Sequence, residues 1–483
     1  MKIFKGFVLC ILASCIAPVE PHAYRQVSCI VHIHSTFSSS GRHSLEELVL
    51  LARKEKIDVI ILTDHDIVMA EYGVRPLSNI LKRSHAKNSI FQIGYEKYLN
   101  EIKRLQEKYP DIIIMPGFES TPHYYWSGSP FTKEFTLNNA HKHLVVTGLD
   151  DPEQFKNLPV LGNRGAEKFR IILLWPVATL LLGMLLVKKR PVPAVFVLLI
   201  SAVFIVNNFP FKSPDFSQYK DGGEGPYQSL IDYVVSQKGI VFWAHPEARN
   251  YENATELNGV KVRTKPYPDS LVKTRNYTGF AYFWEGDDIV GVPGGLWDRV
   301  LNEYQENKRK KPVWAFGELD YISDGYNGTY MNMARNILFV NSLNREEVLD
   351  AIRTGRFYVV CKWRPDDWQV FLREIEIYSS PGPGRPGSKG VSATMGGELQ
   401  TATYPSLRFV VDADDTGKHN AEIKIVLNGI VVETLKKRLP AAIEVDMQKH
   451  SGILRGKNYC RVEVKAENNS RVVTNPLFFG IMK

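Results

Sequence analysis

The stretch Cys29-Ile30-Val31-His32-Ile33-His34-Ser35-Thr36 decides the fold, together with its partner Val59-Ile60-Ile61-Leu62-Thr63-Asp64-His65-Asp66. Each is a short apolar, β-branched run ending in imidazoles or carboxylates, which is how a buried strand delivers polar groups to one end of a sheet. Along an extended chain alternate residues share a face, so His32 and His34 would point the same way. Working outward, Glu119 follows Met115-Pro116-Gly117-Phe118. His143 opens His143-Leu144-Val145-Val146-Thr147, His245 follows Phe242-Trp243-Ala244, and Asp320 follows Gly317-Glu318-Leu319. Imidazoles and carboxylates gathered at strand ends are the donor set of a multinuclear divalent-metal site. Singly, each has a plainer reading: edge-strand histidines, an Asp-rich turn at Asp64-His65-Asp66, a surface acid, a satisfied core histidine. Seven such coincidences at matching places are harder to accept than one shared site.

The intervening pattern alternates. Strands are expected at 27–34, 57–63, 111–115, 143–147, 239–244, 313–316 and 356–360. Helices are expected at 44–56, 94–109, 226–237, 297–307 and 345–354, with Ser44 and Glu47 forming a capping box. Alternating strands and helices indicate an α/β fold with a parallel sheet, either a barrel or an open layer. The expected ligands then sit at the C-terminal strand ends, the face where such barrels carry their chemistry. His143 starts its strand instead, and that rule does not cover it.

Two segments interrupt this plan. Residues 171–187 and 192–206 carry no charge and are separated by Lys188-Lys189-Arg190-Pro191. They are apolar on all sides, unlike a helix with one wet face, which predicts a two-helix transmembrane hairpin over 169–209 rather than two core helices. The turn cations place the turn in the cytoplasm and both outer ends on the far side. That topology lets His32–His143, before the hairpin, share a site with His245 and Asp320, after it.

The first 23 residues read as an export signal: Lys2 and Lys5, the apolar run 7–12, then Leu12-Ala13-Ser14-Cys15, a lipoprotein-type box that would lipidate Cys15. An ordinary signal peptide cut near Ala23 is the alternative. The expected location is therefore a bacterial cell envelope, with the barrel extracytoplasmic. Beyond that segment only Cys29, Cys361 and Cys460 remain, with no Cys-x-x-Cys, which argues against a disulfide framework. The net charge of +8 is spread without a dominant basic block, so no nucleic-acid partner is expected. From about residue 370, after the loop 381–387, short alternating runs and the turn Asn428-Gly429 predict a small β-sandwich. The expected division is 1–23 signal, 27–165 and 215–365 barrel, 169–209 hairpin, and 370–483 sandwich.

The ordered motifs HIHSTFSSSGRHSLEEL, ILTDHD, PGFE, HLVVTGL, FWAHPEA and GELD resemble the PHP (polymerase and histidinol phosphatase) family. The resemblance implies a distorted (β/α)7 barrel binding two or three divalent ions (Zn, Mn or Fe). Its ligands here would be His32, His34, His65, Glu119, His143, His245 and Asp320, with Asp64 in the same loop. Glu119 would bridge, and His65 or His143 would assist the leaving group. Residues 351–358 with the β-rich C-terminus resemble the branch that includes carbamate and ester hydrolases. One departure is clear: where the family ends in Asp-x-His, this chain has Asp320-Tyr321-Ile322, and Asp324 or His141 would have to substitute if a third ion binds. The implied activity is hydrolysis of a small-molecule phosphoester. An ester, carbamate or amide hydrolase, or a non-catalytic metal-binding module, are the alternatives.

Overall fold

In a computed structural model, described for residues 24–132, 134–257, 260–379 and 390–482, seven strands form the core of the molecule. The expected signal segment, Cys15 included, and the loop 381–387 lie outside the described residues. The strands are β1 (Arg25–Val31), β2 (Val59–Leu62), β3 (Ile113–Ser120), β4 (Leu144–Thr147), β5 (Ile240–Trp243), β6 (Gly279–Phe283) and β7 (Trp314–Gly317), hydrogen-bonded in that order. The two ends of the run meet at a single parallel bridge, Ile33 to Tyr321. It is closed by Tyr321 N donating to the His32 carbonyl and His34 N to the Tyr321 carbonyl, both 2.9 Å. Every residue of β2, β4, β5, β6 and β7 is buried, as expected of strands covered on both faces.

The expectation of an all-parallel sheet needs one correction. β4 runs antiparallel to both neighbours, β3 and β5, while β1–β2–β3 and β5–β6–β7 are parallel. A reversed strand presents its N-terminal end on the face where its neighbours present their C-terminal ends. His143, just before β4, therefore arrives on the same face as the other expected ligands.

Helices α1 (Leu45–Lys54), α2 (Tyr95–Lys108), α3 (Trp175–Leu186), α4 (Pro191–Asn208), α5 (Gly225–Ser236), α6 (Leu296–Gln305) and α7 (Arg345–Thr354) complete the chain order. The Ser44–Glu47 capping box forms at α1. α7 ends at Gly355, in the left-handed region (φ +76°), where a Cβ would come within 2.7 Å of the Trp314 ring. Two further strands, β8 (Ala334–Val340) and β9 (Phe357–Cys361), extend the sheet from β1. β9 then pairs with Arg471–Thr474 of the C-terminal lobe, so one hydrogen-bonded sheet crosses both lobes. A second sheet, built on Val370–Ser379, Ser406–Ala413 and Ala441–Asp446, packs on the first through Leu372, Ile377, Phe409, Ile423, Val462 and Phe479. Arg461 in this lobe is fully buried against Asp298 of α6 (2.9 Å).

α3 and α4 form an antiparallel pair outside the barrel. They meet through a Thr179–Ser201 hydroxyl contact (2.8 Å), Leu198 against Gly183, and Trp175 beside Phe204. The rest of their apolar surface is open: Leu185 is 77% exposed, Phe196 63% and Leu199 61%. Buried core helices are thereby excluded. Among the described residues α4 alone is long and apolar enough to cross a bilayer; the companion segment Ile171–Leu186 is apolar but shorter, so only one of the two expected spans has the length.

Candidate metal centre

The ligand-bearing segments converge at the closed end of the barrel. The loop after β2 is zipped to the end of β3 by Glu119 N donating to the Asp64 carbonyl (3.1 Å) and Asp66 N to the Glu119 carbonyl (3.0 Å). Glu119 is 2% exposed and lies at the centre. Its Oε1 is 3.1 Å from His32 Nε2 and 3.2 Å from His245 Nε2, and it also contacts His143 Nδ1. Its Oε2 is 3.2 Å from His65 Nδ1 and 3.4 Å from His34 Nε2. Asp320, 54% exposed, lies at the mouth with Oδ1 3.1 Å from His34 Nε2. Seven of the eight residues expected from the sequence thus meet around one carboxylate.

Asp64 is the eighth, and it stands behind the cluster. Its carboxylate accepts from Ser35 N (2.7 Å), Ser35 Oγ (2.6 Å) and Ser38 Oγ (2.8 Å). With those acceptor sites filled, it holds the Ser35–Ser38 turn that carries His34. The common face of His32 and His34 also arises differently from the period-two expectation. β1 ends at Val31, and His32 has φ +67°. His245 (φ +24°) and Asp320 (φ +43°) share this left-handed backbone. For non-glycine residues each such conformation costs about 1–2 kcal/mol, a load typical of functional sites. The sharp bends turn three side chains inward at strand ends.

Glu318 is the site residue that sequence reasoning missed. Its Oε2 is 2.7 Å from His32 Nδ1 and its Oε1 accepts from His245 N (2.9 Å). A carboxylate on Nδ1 fixes the tautomer that leaves Nε2 as a lone pair facing the centre. His143 is set the opposite way, with Nε2 3.2 Å from the Ala140 carbonyl and Nδ1 inward. The Tyr267 hydroxyl is 3.2 Å from His245 Nδ1. The signal for Glu318 was its place two residues before Asp320, masked because a Glu in Gly-Glu-Leu-Asp also reads as a turn.

The electrostatics follow from this packing. Burial opposes the charge on Glu119, yet His143, His32 and His65 hold its carboxyl well below the usual range. Burial pushes His65 down to about 3. Burial also works against protonated His245, but Glu119 and Glu318 outweigh it and lift the ring to about 9.

The donor set fits divalent cations. His32, His34 and Glu119 form one group, and His65, Glu119 and His143 a second, each with ligand atoms within 4.8 Å of one another. His32 Nε2 is buried without a hydrogen-bond partner, since its approach to Glu119 lies off hydrogen-bonding geometry. Five imidazoles and two carboxylates turned toward one point have no better common partner than a cation. No ligand corresponds to the expected final histidine. Ile322 cannot bind metal. Asp324 accepts instead from the Tyr321 hydroxyl (3.1 Å) and Met331 N (3.3 Å). His141 is stacked flat on Tyr251 (3.8 Å between centroids), with its ring 5.7 Å from that of His143.

Residues 31–161, which carry His32 to His143, match the PHP domain family. That stretch is similar to PHP domains. Two solved structures are similar to the chain over different lengths. One is a two-domain protein from Bacteroides vulgatus containing a predicted PHP-like metal-dependent phosphoesterase (12% identity, 95% of this chain and 96% of that one, TM-score 0.35). The other is a candidate metal-dependent phosphoesterase from Bifidobacterium adolescentis (14% identity, 62% and 88%, TM-score 0.28). No curated protein matches the chain. The matched residues run from the end of β1 through β4; His245 and Asp320 reach the site from beyond them.

Proposed function

We propose that this protein is a metal-dependent hydrolase of phosphoesters, with two divalent ions (Zn, Mn or Fe) sharing Glu119. The observation that carries this reading is that Glu119 belongs to both ligand groups, with His32 and His34 in one and His65 and His143 in the other. A carboxylate so placed bridges two positions. Bound cations would polarise a phosphoryl oxygen and lower the pKa of an attacking water. The chain's own residues do the rest. His32 and His34 would hold one ion and His65 and His143 the other, each pair together with Glu119, with Asp320 beside His34 and His245 beside His143; Glu318 keeps His32 in its binding tautomer. His65, 18% exposed, is the most solvent-open of the five imidazoles.

The domain is read as anchored outside the cytoplasmic membrane through α3 and α4, with residues 1–23 as its export signal. The open apolar surface of both helices supports this, as do Lys188, Lys189 and Arg190 in their turn. The barrel parts 27–165 and 215–365, and the lobe 370–483, then share one compartment. The test is an elemental count on purified full-length protein, followed by turnover of a generic phosphodiester and a generic carboxyl ester. Two ions per chain with phosphodiester turnover, both lost in Glu119→Gln, is the expected result. Ester turnover alone transfers the site to the carbamate and ester branch. Less than one ion per chain refutes the hydrolase reading.

A further inference from the structure

Directly after the ligand loop, the chain leaves the barrel as a two-stranded finger, Met69–Gly73 paired with Lys82–Ala86, with residues 74–81 at its tip. Just past the finger the chain is bonded back to the ligand loop: Ile90 N donates to the His65 carbonyl (2.9 Å) and Phe91 N to the Asp66 carbonyl (3.0 Å). The tip is bonded elsewhere. Asn79 Nδ2 donates to the Asn207 carbonyl (2.7 Å), and Asn79 N to Asn207 Oδ1 (3.1 Å), at the last turn of α4. Asn207 and Asn208 are both buried there, and Asn208 Nδ2 donates to the Leu173 carbonyl (2.9 Å), so finger tip and helix base form one unit.

The chemistry of that unit is unusual for a hairpin tip, which is ordinarily polar. Val74 is 38% exposed, Ile80 43% and Leu81 53%. The helix base, bonded to the tip through Asn79 and Asn207, has open apolar residues of its own in Phe169, Ile171 and Phe209. Arg75, Lys82 and Arg83 flank the tip, and Lys168, Arg170 and Lys212 flank the base; all six are exposed. Fewer acids oppose them: Glu71 pairs with Lys82, and Asp215 with Lys168 and Arg170. An apolar edge rimmed by cations, continuous with a membrane-type helix pair, matches the boundary between acyl chains and anionic headgroups.

We propose that the finger tip is an interfacial membrane contact. Val74, Ile80 and Leu81 enter the headgroup–acyl boundary on the side where α3 and α4 enter, and Arg75, Lys82 and Arg83 engage anionic headgroups. The proposal rests on reading α3–α4 as a membrane hairpin. Because a five-residue strand rises about 17 Å, the bilayer surface then fixes the height of the metal centre through the same finger that supports His65.

The test uses the full chain in nanodiscs of mixed zwitterionic and anionic lipid, with Cys10→Ser and Cys15→Ser removing thiols other than the buried Cys29, Cys361 and Cys460. Nitroxide labels are placed singly through Leu81→Cys and Ile80→Cys, with Leu199→Cys as the hairpin reference and Lys436→Cys as the aqueous reference. The expected result is shielding of labels 80 and 81 from an aqueous nickel chelate, as for 199 and unlike 436. That shielding is lost with Lys82→Glu/Arg83→Glu or in purely zwitterionic discs, and is retained in inorganic phosphate. A chelate-accessible 81 beside a shielded 199 overturns the inference and leaves the hairpin reading standing. An accessible 199 overturns both. Shielding indifferent to charge overturns the headgroup assignment, and loss of shielding in phosphate points to a small-anion site in place of a lipid surface.

Discussion

Replacing Glu318 by Gln removes one charge and keeps the shape. The carboxylate accepts twice, from His32 Nδ1 at 2.7 Å and from His245 N at 2.9 Å, in a site where both partners are buried. An amide has one acceptor oxygen, so one of those donors must face an NH2 group. The loss is one charge-assisted hydrogen bond, about 1.5–3 kcal/mol. Expressed as metal affinity, with 1.4 kcal/mol per factor of ten, this is roughly a ten- to hundredfold weakening. The assay is chelator competition on purified protein, with thermal unfolding of the metal-free form to show that the variant is folded. A second leg is the cycle with His32→Ala: if Glu318 acts through His32, the two losses fall short of additive. Metal affinity within about twofold of the parent, well under the 1.4 kcal/mol that a tenfold change represents, refutes the assignment of Glu318 as the residue that orients His32.

Glu119→Gln removes the charge common to both groups of ligands, and an elemental count should fall to below one ion per chain while the fold survives. Metal binding should keep strengthening with pH up to about 9, because His245 titrates there and binds only when neutral; a plateau by neutral pH refutes this. In the metal-free protein the same ring has a folded pKa above its ordinary 6.5. Its contribution to stability is therefore fully present below 6.5 and is lost as pH rises through about 9, which denaturant titrations at pH 6 and pH 10 would register. Asp298→Ala removes one of the two carboxylates that face fully buried Arg461, Glu463 being the other, and should cost about 3 kcal/mol in unfolding free energy. Asp298→Leu with Arg461→Met should restore most of it; equal instability of the single and double variants refutes the ion-pair account.

Much of the centre was legible because its ligands sit at the ends of short, unmistakably apolar runs. The Ser44–Glu47 box and the Asn428–Gly429 turn were equally local, with both turn residues in the left-handed region that such a hairpin requires. What escaped was directional or relational. The direction of β4 is absent from Leu144-Val145-Val146-Thr147, since a buried run reads the same either way, and His143 made sense only once its neighbours were known. β6 and β8 are absent from the expected strands because Gly279 opens the one and Arg335-Asn336 interrupt the other, so neither reads as a continuous β-branched run. Glu318 matters for what it touches across 286 residues of chain, a relation that no local window contains. The finger was invisible because Lys82–Ala86 is exposed at every position and carries no apolar alternation.

The ladder from β9 to Arg471–Thr474 has a mechanical corollary. Swinging the C-terminal lobe away from the barrel would tear backbone pairs and pull a guanidinium out of its only dry seat, so this molecule has no hinge there. Any motion that widens access to the candidate centre therefore belongs to shorter segments, such as the one that carries half-exposed Asp320, and not to the junction between lobes.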